Sequence, residues 1–255
     1  MREAGGLVAR AHAIARERIR PGATTAEVNT AVEEYLATEA ATPLFKGFPG
    51  ETPFPAATCI SVNHQIVHGI PGSYVLKPGD IVSVDIGVKK NGWCGDAAWT
   101  YTVDEIDDEK RRVMAAGKYL LQRAIFLCGS RQYWSEIASD MMREARRLNV
   151  NLVRKFVGHG IGREMHEAPQ VPNFVDPSTK QMDFALRPGL VLAIEPMVNA
   201  GSADVRILGD KWTAVTADGR PSVHFEHTVA ITKEGPLLLT EGVGEPFDPR
   251  QEPSL

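Results

Sequence analysis

Apolar residues recur along this chain with two periods, and the switches between the two periods outline its elements. Three segments repeat at the helical spacing of about 3.6 residues. In the first, Thr24-Thr25-Ala26-Glu27 reads as a capping box, and Val28, Ala31, Val32, Tyr35 and Leu36 then share a face. In the second, from Asp107 to Cys128, Val113, Ala116, Leu120, Ala124 and Leu127 form one stripe. The third, residues 132–148, aligns Trp134, Ile137, Ala138, Met141, Ala145 and Leu148. Such stripes face a core, not a cofactor. The Arg-rich N-terminal stretch reads as a surface helix ending near Pro21-Gly22.

Between the helices lie strand-like runs. Asp80–Val88 is almost continuously apolar, as in a strand buried on both faces, and Lys90-Asn91-Gly92 then leads into Trp93–Val103. Asn-Gly between strand residues is a strong hairpin signal. Further runs cover Leu190–Val198, Trp212–Thr216 and Val223–Thr232. Helices and strands mix without a regular βαβ rhythm, which predicts an α+β fold. At 255 residues the chain can bury a full core without a disulfide or structural metal, and the reading is one catalytic domain over 1–255.

Two runs echo each other. Lys77-Pro-Gly-Asp-Ile-Val-Ser-Val-Asp85 matches Arg187-Pro-Gly-Leu-Val-Leu-Ala-Ile-Glu195 in character, with a carboxylate at the same end. His68-Gly-Ile-Pro71 is echoed by His159-Gly-Ile-Gly162, and Asp96 and Glu226 each lie on the next strand of their half. Two copies predict a duplicated half, about 20–105 and 130–235, not a solenoid. Packed about a pseudo-twofold axis, the halves would bring both sets of acids and histidines to one shared site.

The composition removes several alternatives. Hydrophobic residues at 43% and charged residues at 24% describe a globular protein, not a disordered one. A net charge of -4 argues against broad nucleic-acid binding, and no apolar run approaches the roughly 18 residues of a membrane span. The three cysteines are odd in number and widely spaced, so a reducing compartment, the cytoplasm, is expected.

The chemistry concentrates in the hairpin. With Asn91-Gly92 as its turn, Gly87 faces Asp96, and Asp85 lies diagonal to Asp96 on the same face. Two buried carboxylates with no cation between them repel, so a metal ion is expected there. Glu195 follows a buried run and precedes Pro196, which fits a strand end; period two places His224, Glu226 and Thr228 on one face. His159 is flanked by glycines that let the backbone pass closely. Four carboxylates and one imidazole are too many ligands for one tetrahedral zinc; two divalent ions with a bridging water or hydroxide suit them.

These five residues, with Cys-Ile-Ser-Val-Asn-His-Gln-Ile-Val-His-Gly-Ile-Pro71, Gly158-His-Gly-Ile-Gly-Arg-Glu-Met-His-Glu-Ala-Pro169, Ala193-Ile-Glu-Pro-Met-Val198 and His224-Phe-Glu-His-Thr-Val-Ala-Ile-Thr232 around them, resemble type I methionine aminopeptidases from about residue 5 to about residue 240. The resemblance implies the pita-bread fold, two pseudo-twofold-related halves around a central antiparallel sheet. It implies removal of the N-terminal methionine from nascent polypeptides when the second residue is small, by a hydroxide activated between two divalent metal ions. Cobalt, manganese, iron and zinc all suit such ligands, and the sequence does not choose. By resemblance Asp85 chelates one ion, Asp96 and Glu226 bridge, and His159 and Glu195 complete the first ion's shell. His68 would bond the scissile amide region, His166 would stabilise the developing oxyanion, and Glu195 would accept the nucleophile's proton. Cys59 and Trp212 take family-like positions in the methionine pocket.

The departures fall in that pocket. Phe45 and Phe48 with a longer Gly-Glu-Thr-Pro-Phe-Pro-Ala stretch stand where relatives carry tyrosine, Val67 stands before His68, and Met165 before His166. Met165 keeps the wall apolar and adaptable. The expected partners are nascent peptide N-termini, at the ribosome or free of it, with no nucleic acid and no membrane, and the expected state is a monomer. X-Pro-cleaving peptidases of the same fold usually carry a large extra N-terminal domain; creatinase-like enzymes and non-catalytic modules lack the full ligand set.

Overall fold

The computed structural model describes residues 1–254. Four main helices form, α1 (Arg2–Arg18) over the Arg-rich N-terminal stretch and α2 (Thr25–Thr38), α3 (Asp108–Leu127) and α4 (Trp134–Arg147) where the three apolar stripes predict them. The capping box forms as read: the Glu27 backbone N donates to Thr24 Oγ1 at 3.2 Å, and Thr24 N donates to Glu27 Oε2 at 2.6 Å. Asp107 caps α3 by accepting the Lys110 N–H at 2.8 Å. In α1, buried His12 donates from Nε2 to the Ala97 carbonyl (2.9 Å) and accepts from the Tyr101 hydroxyl at Nδ1 (3.0 Å). That pair of partners selects the neutral imidazole, and burial holds its pKa down to about 4.

The first ribbon is the hairpin Ile81–Lys90 with Trp93–Thr102, in one unbroken register from Ile81 opposite Thr102 to Lys90 opposite Trp93. Asn91 (φ 50) and Gly92 (φ 74) supply the two left-handed residues that a tight two-residue turn requires. Gly87 therefore faces Asp96, as the turn arithmetic demands. The strand Cys59–Val62 pairs with the other edge of Ile81–Lys90 and sets Cys59 opposite Asp85.

The second ribbon corrects the sequence reading. Residues 190–198 are not one strand but two, Val191–Ile194 and Met197–Asn199, and 223–232 divide into Ser222–His224 and His227–Thr232. Ile194 pairs with His227, whereas Met197 pairs with His224 in a different sheet, so Glu195-Pro196 and Phe225-Glu226 oppose each other at a matched break. Pro196 has no N–H to give the ladder, which accounts for the interruption. The alternation nevertheless carries through the break: His224 and Glu226 both line the central cavity, while Phe225 and His227 both meet the Trp99 ring on the other face.

The two ribbons dock through backbone and threonine hydroxyls. Thr228 Oγ1 accepts from Asp96 N (3.0 Å) and donates to Asp96 O (2.7 Å), Glu226 N donates to Ala98 O (2.8 Å), and Thr100 Oγ1 accepts from His224 N (3.0 Å) and donates to His224 O (2.9 Å). The two chains thus run antiparallel through the middle of the molecule. The echo has its structural counterpart: Gly79 (φ 90) and Gly189 (φ 104) both turn in the left-handed region, and their N–H groups donate to Val103 O (2.8 Å) and Ile231 O (2.9 Å). α1 packs on the first ribbon and α3 on the second. One apolar core runs from Leu7 to Val243 beneath them. No helix among the described residues is long and apolar enough to cross a membrane.

Candidate metal centre

A cavity of about 530 Å³ opens where the ribbons meet. Asp85 and Asp96 reach its floor from the first ribbon, and Glu195 and Glu226 reach it from the paired break in the second. His159 comes from the short strand Gly158–Gly160, where it pairs with Ala193. Its glycine flanks are obligatory: a Cβ on Gly158 would stand 2.3 Å from Ala193 O, and one on Gly160 would stand 2.2 Å from Ala168 O.

Asp96, His159 and Glu226 each offer one ligand atom, and these atoms lie within 4.8 Å of one another. His159 Nδ1 donates to the Gly160 carbonyl at 3.0 Å, which leaves the Nε2 lone pair for the cavity. Nε2 lies 3.5 Å from Glu195 Oε1 and 4.0 Å from Asp96 Oδ2. The carboxyl groups of Asp85, Asp96, Glu195 and Glu226 are all pushed to higher pKa, first by burial. Burial instead drives His159 down to about 4, so its imidazole is neutral and free to ligate. Asp85 Oδ1, Asp96 Oδ1 and Glu226 Oε1 are buried without a hydrogen-bond partner. Unpartnered carboxylate oxygens grouped around a lone imidazole nitrogen fit divalent cations and little else.

Chelation should therefore lower Tm, and added divalent metal should restore it. Saturation at a hundred times Kd stabilises by about 2.7 kcal/mol, or roughly 5 to 10 °C for a chain of this size. An identical Tm with and without metal in differential scanning fluorimetry would count against a metal at this site.

The other singled-out residues line the same cavity. His166 packs edge-on to the His159 ring, centroids 4.3 Å apart, and to Phe48 at 5.3 Å. His68 adopts φ 59, a left-handed backbone that a non-glycine residue holds only when its surroundings enforce it. Burial lowers its pKa to about 4, and Phe156 and Trp212 meet its ring edge-on. Phe45, Phe54, Ala56, Cys59 and Met165 form a small apolar cluster of their own, with Phe48 and Trp212 against it. Cys59 stays a thiol, its pKa raised by burial and by Asp85.

Phe54 and His224 are among the cavity residues that the sequence reading does not assign to the site. Phe54 lies in residues 50–56, and the Trp212 indole N–H fixes that loop by donating to Thr52 O at 2.9 Å. His224 lies fully buried with Nε2 3.5 Å from Glu195 Oε2, and burial lowers its pKa to about 3. Its position two residues before Glu226, on the same face, was the only signal, and its approach to Glu195 depends on the paired strand.

Comparison with known proteins is decisive. The sequence profile of metallopeptidase family M24 matches residues 1–233. The chain belongs to metallopeptidase family M24. It is 44% identical over 240 residues to methionine aminopeptidase 1 of Bacillus subtilis, covering 94% of each chain, and 45% identical to the methionine aminopeptidase of Clostridium perfringens over the same length and share. The crystal structure of the methionine aminopeptidase from Thermotoga maritima superposes with a TM-score of 0.88 at 41% identity, covering 94% of both chains. The prolidase of Pyrococcus furiosus, at 22% identity and a TM-score of 0.73, shares the fold alone. This M24 chain therefore has the pita-bread fold that the resemblance implies, and it is a metal-dependent peptidase.

Proposed function

We propose that this chain, as a single catalytic domain, removes the N-terminal methionine from nascent polypeptides whose second residue is small. The observation that carries the reading is the cavity itself: a floor of four buried carboxylates and one outward imidazole nitrogen, beside a wall of Phe45, Phe48, Phe54, Cys59, Met165 and Trp212. Its relatives at 44% and 45% identity support the choice of substrate.

Asp85, Asp96, His159, Glu195 and Glu226 would hold two divalent ions, with Asp96 and Glu226 between them. Bound there, the ions supply Lewis acidity and lower the pKa of a water molecule. The apolar wall takes the methionine side chain and excludes water from it. His68 orients the scissile amide, and His166 aims a donor at the carbonyl oxygen as charge develops on it. Glu195 takes up the proton released in the attack, at the carboxylate oxygen facing His224 or at the one facing His159. Cobalt, manganese, iron or zinc would serve, according to supply. The proposed setting is the cytoplasm, as a monomer, at the ribosome or free of it; three buried free cysteines suit a reducing compartment.

A peptide panel tests the reading. With added divalent metal, a Met-Ala- peptide should lose its methionine at least about a hundredfold faster than a Met-Lys- peptide, and an Ala-Pro- peptide should stay intact. Efficient cleavage of Met-Lys- would overturn the small-residue rule. Cleavage of Ala-Pro- with Met-Ala- left intact would move the chain to the X-Pro peptidases.

A further inference from the structure

The hairpin that carries Asp85 and Asp96 extends beyond the cavity to its Asn91-Gly92 tip, and there it touches the segment that carries His166. The contacts converge on one short stretch. The Arg163 guanidinium lies 3.7 Å from the ring centroid of Trp93, and its Nη1 donates to Gly92 O at 3.2 Å. Cys94 N donates to Gly162 O at 2.8 Å, and the Cys94 thiol donates to Arg163 O at 3.4 Å. Lys89 Nζ meets Glu164 Oε1 at 3.1 Å. The stretch also closes on itself, with Gly162 N donating to Glu164 O at 3.1 Å and Glu164 N donating to Glu167 Oε1 at 2.9 Å.

Neither Trp93 nor Arg163 lines the cavity, and Trp93 is 36% exposed, so neither contact serves the core. Their place along the chain is what gives the stack a purpose. Trp93 is three residues from Asp96 on one strand, and Arg163 is three residues from His166 on the other segment. A planar guanidinium stacked on an indole fixes both distance and plane, which a lysine at the same place would not.

We propose that Trp93 and Arg163 are positioning residues: their stack fixes the Gly162–His166 segment to the hairpin and so sets the His166 ring at a constant distance from the carboxylates. This rests on the reading of His166 as a donor to the substrate. A misplaced donor costs rate, while a ground state that lacks that contact binds as before.

The test is a double-mutant cycle on the metal-loaded full chain. Trp93→Ala and Arg163→Ala are each made alone and in a His166→Ala background, with kcat, KM, bound metal and Tm measured on the same preparations. On the wild-type background each should lower kcat about tenfold with KM and metal content unchanged. Trp93→Phe should recover most of the loss, because a flat ring for the guanidinium remains. In the His166→Ala background the same substitutions should change kcat less than about twofold, since the group they position is gone. Equal losses on both backgrounds, loss of metal, or wild-type kcat in both single variants would overturn the proposal. If His166→Ala alone keeps wild-type kcat, the reading of His166 fails and the positioning role falls with it; a normal His166→Ala loss with additive effects of Arg163→Ala removes the positioning role alone.

Discussion

Replacing Asp96 by Asn should lower kcat at least about a thousandfold while the chain stays folded, which corresponds to about 4 kcal/mol of lost transition-state stabilisation. The amide keeps the size and the backbone anchors of the aspartate, because Thr228 binds Asp96 through its N–H and C=O and not through its carboxylate. What changes is charge. Asp96 Oδ1 has no hydrogen-bond partner among the described residues, and the group lies within ligand reach of both His159 and Glu226. A neutral amide cannot hold two cations together. The same substitution removes one of four crowded buried carboxyl groups, so metal-free Asp96→Asn should melt no lower than the metal-free parent, and added metal should raise its Tm less. Turnover, bound metal by mass spectrometry and Tm together decide the matter. Near-parental activity at full metal content would sink the bridging role.

His166→Ala should leave bound metal intact and lower kcat by about 10²–10³, or roughly 3 to 4 kcal/mol, the usual loss for one donor aimed at charge that exists only in the transition state. The His166 side chain sits beside His159, not within the cluster of candidate ligand atoms. It is also exposed, so its removal opens no hole in the core and should cost little in Tm. His68 differs in its burial and its backbone. It is half-buried against Phe156 and Trp212 in a left-handed backbone, so His68→Ala should lower Tm by removing the packing that holds that backbone as well as weaken substrate binding, and KM should respond along with kcat. A packed histidine without a catalytic role would show the opposite pattern, a lower Tm with unchanged kcat per folded molecule.

Most of the first half of the centre was legible before any coordinates. Asn91-Gly92 admits only one kind of tight turn, and once that turn is fixed, counting back along both strands places Gly87 opposite Asp96 and Asp85 diagonal to it. The cap at Thr24 was equally local, because it needs only a side-chain oxygen and a backbone N–H three residues on. The duplication was legible too, since the Pro-Gly turns at Gly79 and Gly189 do the same work in both halves.

The second half was read incompletely, and the reason is physical. Pro196 announced a weak point in one strand, but a break in the partner strand at Phe225-Glu226 follows from cross-strand pairing, which no period within either strand reports. Alternation puts His224 on the face of Glu226, but its approach to Glu195 arises from how the two broken strands lie side by side. The wall built on Phe54 and the stack of Arg163 on Trp93 are of the same kind, contacts between loops far apart in sequence. The sequence by itself determined which residues carry the charge, the turn that registers the first ribbon, and the order of the two halves, because these depend on neighbours a few positions away. Only the tertiary structure decided how the carboxylates, the imidazoles and the apolar wall converge, because that depends on packing surfaces from opposite ends of the chain against one another.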